Sequence, residues 1–161
     1  MIAEIFWITD FLATMPRPRG NDWLEDEILS YKKFGVDVIV SLLEMDEIIE
    51  LELEKERSFC EQHEIEFLDF PISDYQTPNS FEETRGFVKK LNGFLLEKKR
   101  VAIHCRQGIG RASLIAACVL IFQGVAVEKV FGLITEKRNR KVPDTQQQID
   151  WVKQFAQRIY E

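Results

Sequence analysis

The residues best suited to chemistry lie together in one short segment, HCRQGIGR, at residues 104–111. Cys105 places a thiol at the start of the segment, and Arg111 places a planar, bidentate donor for oxyanions at its end. Cationic neighbours and a helix N-terminus promote ionisation of a thiol, and the thiolate is a strong nucleophile. The spacing therefore indicates a site in which a thiolate attacks a bound phosphoryl group and forms a cysteinyl-phosphate.

The flanking sequence predicts the elements that hold this segment in place. A short apolar run, residues 101–103, precedes it, and an Ala-rich apolar run, residues 114–121, follows it. This order is typical of a strand, a tight loop and a helix. Two glycines let the loop turn, so that its backbone N–H groups and the helix N-terminus can surround an anion. The predicted phosphate-binding residues are Arg106, Gln107, Gly108, Ile109, Gly110 and Arg111.

The segment resembles the His-Cys-x5-Arg signature of the cysteine-dependent protein tyrosine phosphatases, and its His-Cys-x2-Gly-x2-Arg form is similar to that of their small dual-specificity branch. The resemblance implies that Cys105 is the nucleophile, that Arg111 binds the phosphoryl group and its transition state, and that His104 tunes Cys105. It also implies a phosphatase that uses no metal or other cofactor. The sequence agrees, because it has two histidines and lacks a Cys/His cluster of the kind that binds metal ions.

A phosphate ester also needs a proton for its leaving oxygen, and Asp74 is the candidate donor. It follows a predicted strand, so its loop and the Cys105 loop both belong at the carboxyl edge of a parallel sheet. Residues 71–78, PISDYQTP, resemble the acid loop of the small dual-specificity phosphatases. That resemblance implies that Asp74 protonates the leaving group and then takes a proton from water. Asp69, inside the strand, is the alternative acid, and an Asx turn is the alternative role for Asp74.

Hydrolysis of the intermediate requires a positioned water molecule. In the family a glutamine on a later loop or helix often positions it, and the Thr-x-x-Gln pattern that begins at Thr145, with Trp151 after it, resembles this arrangement. The resemblance selects Gln148, with Gln146 as the alternative. Surface glutamines in the first turn of a helix are the competing interpretation.

One position departs from the family pattern. The family usually carries Ser or Thr directly after the arginine, where the hydroxyl helps the thiolate to leave, whereas this chain has Ala112. Ser113 lies roughly 100° further round the helix and is expected to point elsewhere. We therefore predict that Cys105 is phosphorylated faster than it is dephosphorylated. The same departure leaves open a different class of function, a phosphoprotein-binding module with little turnover.

The sequence leaves the substrate open. The resemblance implies a phosphorylated protein or peptide carrying phosphotyrosine, with phosphoserine and phosphothreonine as further targets. A phosphoinositide or another small phosphate ester is the alternative. Gln107 and Ile109 disfavour a phosphoinositide, because lipid-directed relatives usually carry more basic residues inside the loop. Basic residues elsewhere would suit a phosphoinositide or an acidic peptide: Arg17, Arg19, Arg138, Arg140 and Lys141.

The composition further limits the class of protein to which the chain can belong. With 161 residues, 45% of them hydrophobic, the chain suits a single phosphatase domain at 1–161. A net charge of −6 argues against nucleic-acid binding. The start of the chain lacks a basic signal segment, and no run approaches the roughly 20 apolar residues of a membrane span. A thiolate nucleophile and only three cysteines predict a cytoplasmic protein, which we expect to be a monomer.

The order of apolar runs and helical patterns predicts a three-layer α/β fold, in which helices flank a mostly parallel sheet of four to five strands. The predicted strands are residues 4–8, 36–43, 66–70 and 100–104, and residues 15–20 are predicted as a loop. The predicted helices are 23–34, 44–63 in two pieces, 81–97, the segment after the Cys105 loop up to about 123, 127–138, and the segment from Thr145 onward. Trp7 is predicted in the core, and Cys60 on the surface of a helix or half-buried.

Overall fold

The computed structural model describes residues 4–159 and confirms the predicted α/β fold. Five strands form one sheet in the order β1-β2-β5-β3-β4. The pairs β2–β5, β5–β3 and β3–β4 are parallel, and β1 runs antiparallel to β2. The strands are β1 (Phe6–Trp7), β2 (Leu12–Met15), β3 (Val38–Ser41), β4 (Glu66–Asp69) and β5 (Val101–His104).

Helices cover both faces of the sheet and make the three layers. They are α1 (Leu24–Lys33), α2 (Met45–Glu50), α3 (Glu56–Gln62), α4 (Phe81–Leu96), α5 (Arg111–Phe122), α6 (Val127–Arg138) and α7 (Gln146–Arg158), with a 3-10 turn at Asn21–Trp23. Side chains from α4 to α7 build the larger core on one face, and side chains from α1 and α3 build the smaller core on the other. Within residues 4–159, no helix is long and apolar enough to cross a lipid bilayer.

Strand β5 lies at the centre of the sheet, because its side chains are apolar on both faces. Val101 and Ile103 enter the larger core, and Ala102 between them enters the smaller core, as the two-residue period of a strand requires. Every residue of α5 from Arg111 to Ile121 is buried. A helix that is apolar all round is expected in such a place, and α5 packs against α4, α6 and α7.

The sequence-based description misses strand β2. The predicted loop over 15–20 is wrong at Met15, because Met15 ends β2, which pairs with β5 from Leu12 to Met15. The strand has four residues and includes Ala and Met, which have little strand propensity. Its pairing with the central strand therefore decides its conformation.

Two burial predictions are also corrected. Cys60 is fully buried in the smaller core, because it follows Glu56 by one helical turn on the face of α3 that packs inward. The charged residues around it in the sequence conceal that face. Trp7 lies on the edge strand β1 and is half-buried against the smaller core.

Candidate active site

The Cys105 loop joins β5 to α5 at the carboxyl edge of the sheet. Cys105 follows the last residue of β5, and Arg111 is the first residue of α5. Both side chains are nearly enclosed, with 3% of Cys105 and 1% of Arg111 exposed. Because β2 and β3 flank β5, the loop emerges from the middle of the sheet, where its two ends are held by the most buried elements of the fold.

The carbonyl groups of the loop point outward and are held there by other parts of the chain. Arg106 O accepts from Arg17 N (3.1 Å), Gln107 O from Arg138 Nη2 (3.1 Å), Gly108 O from Arg138 Nε (3.4 Å), and Gly110 O from Leu114 N (3.0 Å). In the described part of the chain, no backbone N–H from Arg106 to Arg111 donates to a protein acceptor. Successive unpaired N–H groups in a loop that leads into a helix can bind an anion, and we call this set the nest.

Gly108 makes the close approach of the loop to β2 possible. Its φ is +73°, and a Cβ at this position would lie 2.5 Å from the carbonyl carbon of Met15. The guanidinium of Arg138, which holds two loop carbonyls, is itself stacked on Phe6 at 3.8 Å from the ring centroid. The hairpin of β1 and β2 therefore supports the loop from outside the cavity.

Glu47 on α2 fixes the orientation of Arg111. Its two carboxylate oxygens accept from Nη1 (2.7 Å) and Nη2 (2.9 Å) of the guanidinium, and Nη1 also donates to Ile72 O (2.8 Å). Burial raises the pKa of Glu47, but the hydrogen bonds from Arg111, the Glu44 backbone and Arg106, together with the charge of Arg111, hold that pKa below its ordinary value. The same pairing, against the cost of burial, raises the pKa of Arg111, so the guanidinium stays charged.

The edge of the Arg111 guanidinium that carries Nε and Nη2 remains available for an anion. Nε is buried and has no hydrogen-bond partner among the described residues, and Nη2 lies 3.1 Å from Asp74 Oδ1. A phosphoryl group could therefore bind Nε directly, and it would bind Nη2 once Asp74 moved aside. Bidentate binding of this kind is the usual geometry between arginine and phosphate.

Arg106 is held on the outer side of the loop. Its Nε lies 3.2 Å from Glu47 Oε2, and its Nη2 lies 2.7 Å from Glu50 Oε2. These two carboxylates raise the pKa of Arg106. The contribution of Arg106 to anion binding is thus expected from its backbone N–H, while its side chain pairs with α2.

His104 contacts Cys105 through the backbone. Its Nδ1 lies 3.1 Å from Cys105 O, and because a carbonyl only accepts, Nδ1 must carry a hydrogen. Its Nε2 lies 2.6 Å from Glu56 Oε2, and both side chains are buried in the layer of α1 and α3. Both ring nitrogens are therefore engaged by fixed partners, so the ring position is determined by α3.

Two carboxylates stand at the mouth of a small cavity above the loop. Asp74 Oδ1, which faces Arg111, also accepts from Tyr75 N (3.0 Å). The second carboxylate belongs to Asp144, just before α7. The residues that line the cavity are Asp74, Tyr75, Cys105, Arg106, Gln107, Gly110 and Asp144.

The alternative acid, Asp69, is not among these lining residues. It is exposed on β4 and pairs with Arg57 (3.2 Å).

Gln148 is fully buried and connects α7 to the Asp74 loop. Its Oε1 accepts from Asp144 N (3.0 Å) and Thr145 N (3.2 Å), and its Nε2 donates to Gln76 O (3.1 Å). It therefore serves as part of a capping box at the start of α7. Only one N–H of its amide is left for a water molecule. The alternative residue, Gln146, is exposed and donates to Asp150 (3.0 Å).

Ala112 and Ser113 lie in the first turn of α5, and both are fully buried. The Ser113 hydroxyl has no hydrogen-bond partner among the described residues, and neither residue belongs to the set that lines the cavity.

Sequence reasoning missed three acidic residues: Glu47, Glu56 and Asp144. Glu47 and Glu56 lie in a long charged stretch, where acidic residues are ordinarily solvated. The spacing of Glu44 and Glu47 around the start of α2, which forms a capping box, was the available signal for that helix. No sequence signal distinguishes Asp144 from an ordinary loop residue.

Comparisons with known proteins were made for the whole chain. The family model described as "PTP-SAK: Swiss Army Knife protein, DSP-PTPase phosphatase domain" matches residues 4–161. "Protein tyrosine phosphatase domain-containing protein 1" of Danio rerio is 27% identical, over 94% of this chain and 22% of that protein. The chain spans about a fifth of the length of this relative and of its bovine and mouse counterparts.

Solved structures show the same fold. Kinase associated phosphatase, with its catalytic-site cysteine replaced by serine, has a TM-score of 0.90 at 18% identity, covering 99% of this chain and 97% of that one. PTPMT1 in complex with PI(5)P has a TM-score of 0.79 at 16% identity, covering 97% and 96%.

Proposed function

Since the chain belongs to the PTP-SAK family of DSP-PTPase phosphatase domains, we propose that it hydrolyses phosphate monoesters through a cysteinyl-phosphate on Cys105. The observation that carries the proposal is the nest of unpaired N–H groups from Arg106 to Arg111, with the unpartnered Nε of Arg111 beside it. A buried donor without an acceptor, such as Arg111 Nε, is costly, and a bound phosphoryl group would satisfy it together with the loop N–H groups.

The first step is transfer of the phosphoryl group to Cys105. The Sγ thiolate attacks phosphorus, and the bond from phosphorus to the ester oxygen breaks with its electron pair on that oxygen. Asp74 donates the proton that the leaving oxygen takes up. Binding of the phosphoryl group to Nη2 of Arg111 displaces Asp74 Oδ1, which frees the acid for this role. In the second step, water attacks phosphorus, the phosphorus–sulfur bond breaks with its electron pair returning to Sγ, and the proton of the water passes to a carboxylate that lines the cavity.

Ala112 makes the second step the slow one. With no hydroxyl after Arg111 to stabilise the departing thiolate, we expect a burst of one equivalent of product followed by a slower steady state. The Ala112→Ser variant is expected to raise the steady-state rate about threefold to tenfold and to leave the burst rate unchanged. Rapid-mixing measurements with an aryl phosphate separate the two phases. An unchanged steady-state rate would remove this explanation.

The charge around the cavity supports a phosphoprotein substrate over a phosphoinositide. Its outer wall is lined by Glu44, Asp46, Glu47, Glu50, Asp74, Tyr75, Arg106 and Gln107. None of the five basic residues that could attract a polyanion lines this wall; of them, Arg19 pairs with Glu27 (2.7 Å) and Arg138 is bound to loop carbonyls. A headgroup with several phosphates would meet net negative charge on this wall. The PI(5)P in the PTPMT1 complex is the reason to test a phosphoinositide directly.

We therefore predict a preference for phosphotyrosine peptides with basic flanking residues. At low salt, kcat/KM is expected to be about tenfold higher for a peptide flanked by lysines than for one flanked by glutamates, because like charges repel at the mouth. The ratio should shrink at 0.5 M salt, since screening weakens exposed charges. It should also shrink in Asp46→Asn, which removes one exposed carboxylate of the wall. A higher kcat/KM for soluble PI(5)P than for either peptide would favour the phosphoinositide alternative.

The first experiment measures hydrolysis of an aryl phosphate in the presence of a chelator, with and without vanadate. Turnover that vanadate blocks and the chelator does not affect is the expected result. Acid-quenched protein should carry one phosphate on the peptide that contains Cys105, detected by mass spectrometry. Binding of phosphate without any product, in protein with a reduced Cys105, would instead support a phosphoprotein-binding module.

A further inference from the structure

The cavity above Cys105 contains a second carboxylate besides Asp74. Asp144 reaches it from the loop between α6 and α7, whereas Asp74 comes from the loop between β4 and α4. A Cβ at position 110 would overlap Asp144 Oδ2, so the carboxylate lies directly against Gly110, one residue before Arg111. The two acids thus approach the anion site from separate loops.

The two carboxylates differ in their contacts. Asp74 Oδ1 accepts from Tyr75 N and lies 3.1 Å from Nη2 of Arg111, so one of its two oxygens is engaged by two donors. No donor of the described chain lies within hydrogen-bond distance of the Asp144 carboxylate. Partial burial, together with the charge of Asp74, raises the pKa of Asp144, against the opposing effect of Arg140 and Arg111. Asp144 is therefore the cavity carboxylate of which neither oxygen accepts from a donor of the described residues.

We propose that Asp144 is a second catalytic acid–base group, which accepts the proton of the water that hydrolyses the cysteinyl-phosphate. The proposal rests on the proposed function, because it requires that intermediate. Water oxygen forms a bond to phosphorus, the phosphorus–sulfur bond breaks with its electron pair on Sγ, and the water proton moves to the Asp144 carboxylate. Inorganic phosphate leaves, solvent takes the proton from Asp144, and Asp74 regains from solvent the proton that it gave up in the first step.

The position of Gln148 supports this division of roles. Gln148 is a neighbour of the cavity, but its amide is already bonded to two N–H groups and to Gln76 O. One of those N–H groups is that of Asp144 itself, so Gln148 fixes the backbone that carries the carboxylate. Gln148 thereby acts as a positioning residue for Asp144. Asp74, which protonates the leaving group in the first step, need not serve both steps.

The test compares Asp144→Asn with the wild type in rapid-mixing and acid-quench experiments, using p-nitrophenyl phosphate. We expect the burst rate to stay within about twofold and the steady-state rate to fall at least about tenfold, because a general base contributes on the order of 10²-fold or more. Phosphorylated Cys105 should accumulate to a larger fraction of the enzyme at steady state. Asp144→Glu, which keeps the carboxylate, should recover part of the rate.

Two controls make the result specific. Asp150→Asn removes the same charge from an exposed position on α7 that does not line the cavity, and it should leave both phases unchanged. Asp74→Asn should slow the burst, which locates its role in the first step. The proposal is overturned if Asp144→Asn changes neither phase by more than twofold, or if it slows the burst as much as the steady state. If the wild type itself forms no phosphorylated Cys105, the proposed function fails first, and that outcome is recognisable before any variant is made.

Discussion

The Cys105→Ser variant is expected to lose turnover by about 10⁴-fold or more, since it removes the nucleophile of the whole reaction. A hydroxyl is a far weaker nucleophile than a thiolate unless a general base takes its proton. The nearest imidazole, His104, has both ring nitrogens engaged, one by Cys105 O and one by Glu56. The nest of N–H groups and Arg111 are unchanged by the substitution, so the variant should still bind vanadate or phosphate. Steady-state hydrolysis and isothermal calorimetry measure the two properties.

The other two cysteines provide the matched control. Cys60 and Cys118 are fully buried, and burial raises the pKa of each thiol, so both are expected to be inert. Iodoacetate should therefore alkylate native protein once, at Cys105, and the Cys118→Ala variant should keep its kcat. More than about 1% of wild-type activity in Cys105→Ser, with contamination excluded, would remove the nucleophile assignment.

The second large effect is expected for Glu47→Gln. Glu47 is the bidentate partner of Arg111, and the two side chains are 8% and 1% exposed. Removing one member of a buried ion pair leaves the other charge uncompensated, which costs about 3–5 kcal/mol of folding free energy. Glutamine keeps the shape but replaces one acceptor oxygen by a donor, so it also turns the guanidinium away from its present orientation. We expect kcat/KM to fall at least about 10²-fold, because misplacement by about 1 Å has an effect of that size.

The loss of stability in Glu47→Gln should depend on pH in a defined direction. The pKa of Glu47 is lowered in the folded protein, so its ionised form contributes stability above its unfolded value of about 4.5. That contribution disappears as the pH falls through the lowered pKa, so wild type and variant should converge in acid. Urea unfolding at several pH values measures this difference.

Glu50→Gln is the control, because Glu50 lies on the same helix and makes only an exposed ion pair with Arg106. It should cost at most about 1 kcal/mol. Equal losses of stability for Glu47→Gln and Glu50→Gln would contradict the role assigned to Glu47.

Much of this architecture can be predicted from the sequence, because the informative elements have strong local signals. The apolar run of β5, the glycines of the loop and the apolar run of α5 specify a strand, a turn and a buried helix without reference to the rest of the chain. Strand β2 has no such signal. Its four residues become a strand because Leu12 to Met15 pair with β5, and that partner lies far away in the sequence.

The acidic residues that support the site illustrate a second limit on what can be predicted from the sequence. Cys105 and Arg111 occur in one short motif, so their proximity can be predicted. Glu47 and Glu56 reach the motif from α2 and α3, and their sequence surroundings are typical of solvent-exposed helices. Only the packing of those helices against the sheet shows that one carboxylate binds Arg111 and the other His104. Asp144 is hidden for the same reason, because the connection between α6 and α7 determines where it lies.

The order of the strands has a consequence for how the protein folds. β5 pairs with β2 on one side and β3 on the other, so β2 and β3 are joined in the native sheet only through β5. Such non-local pairing is slow, because the loop entropy is lost before the contacts form. During synthesis the N-terminal elements emerge first, and the two parts of the native sheet can be joined only once residues 101–104 are available. The strand that joins the two parts also carries Cys105, so the sheet and the phosphate-binding loop are completed in the same event.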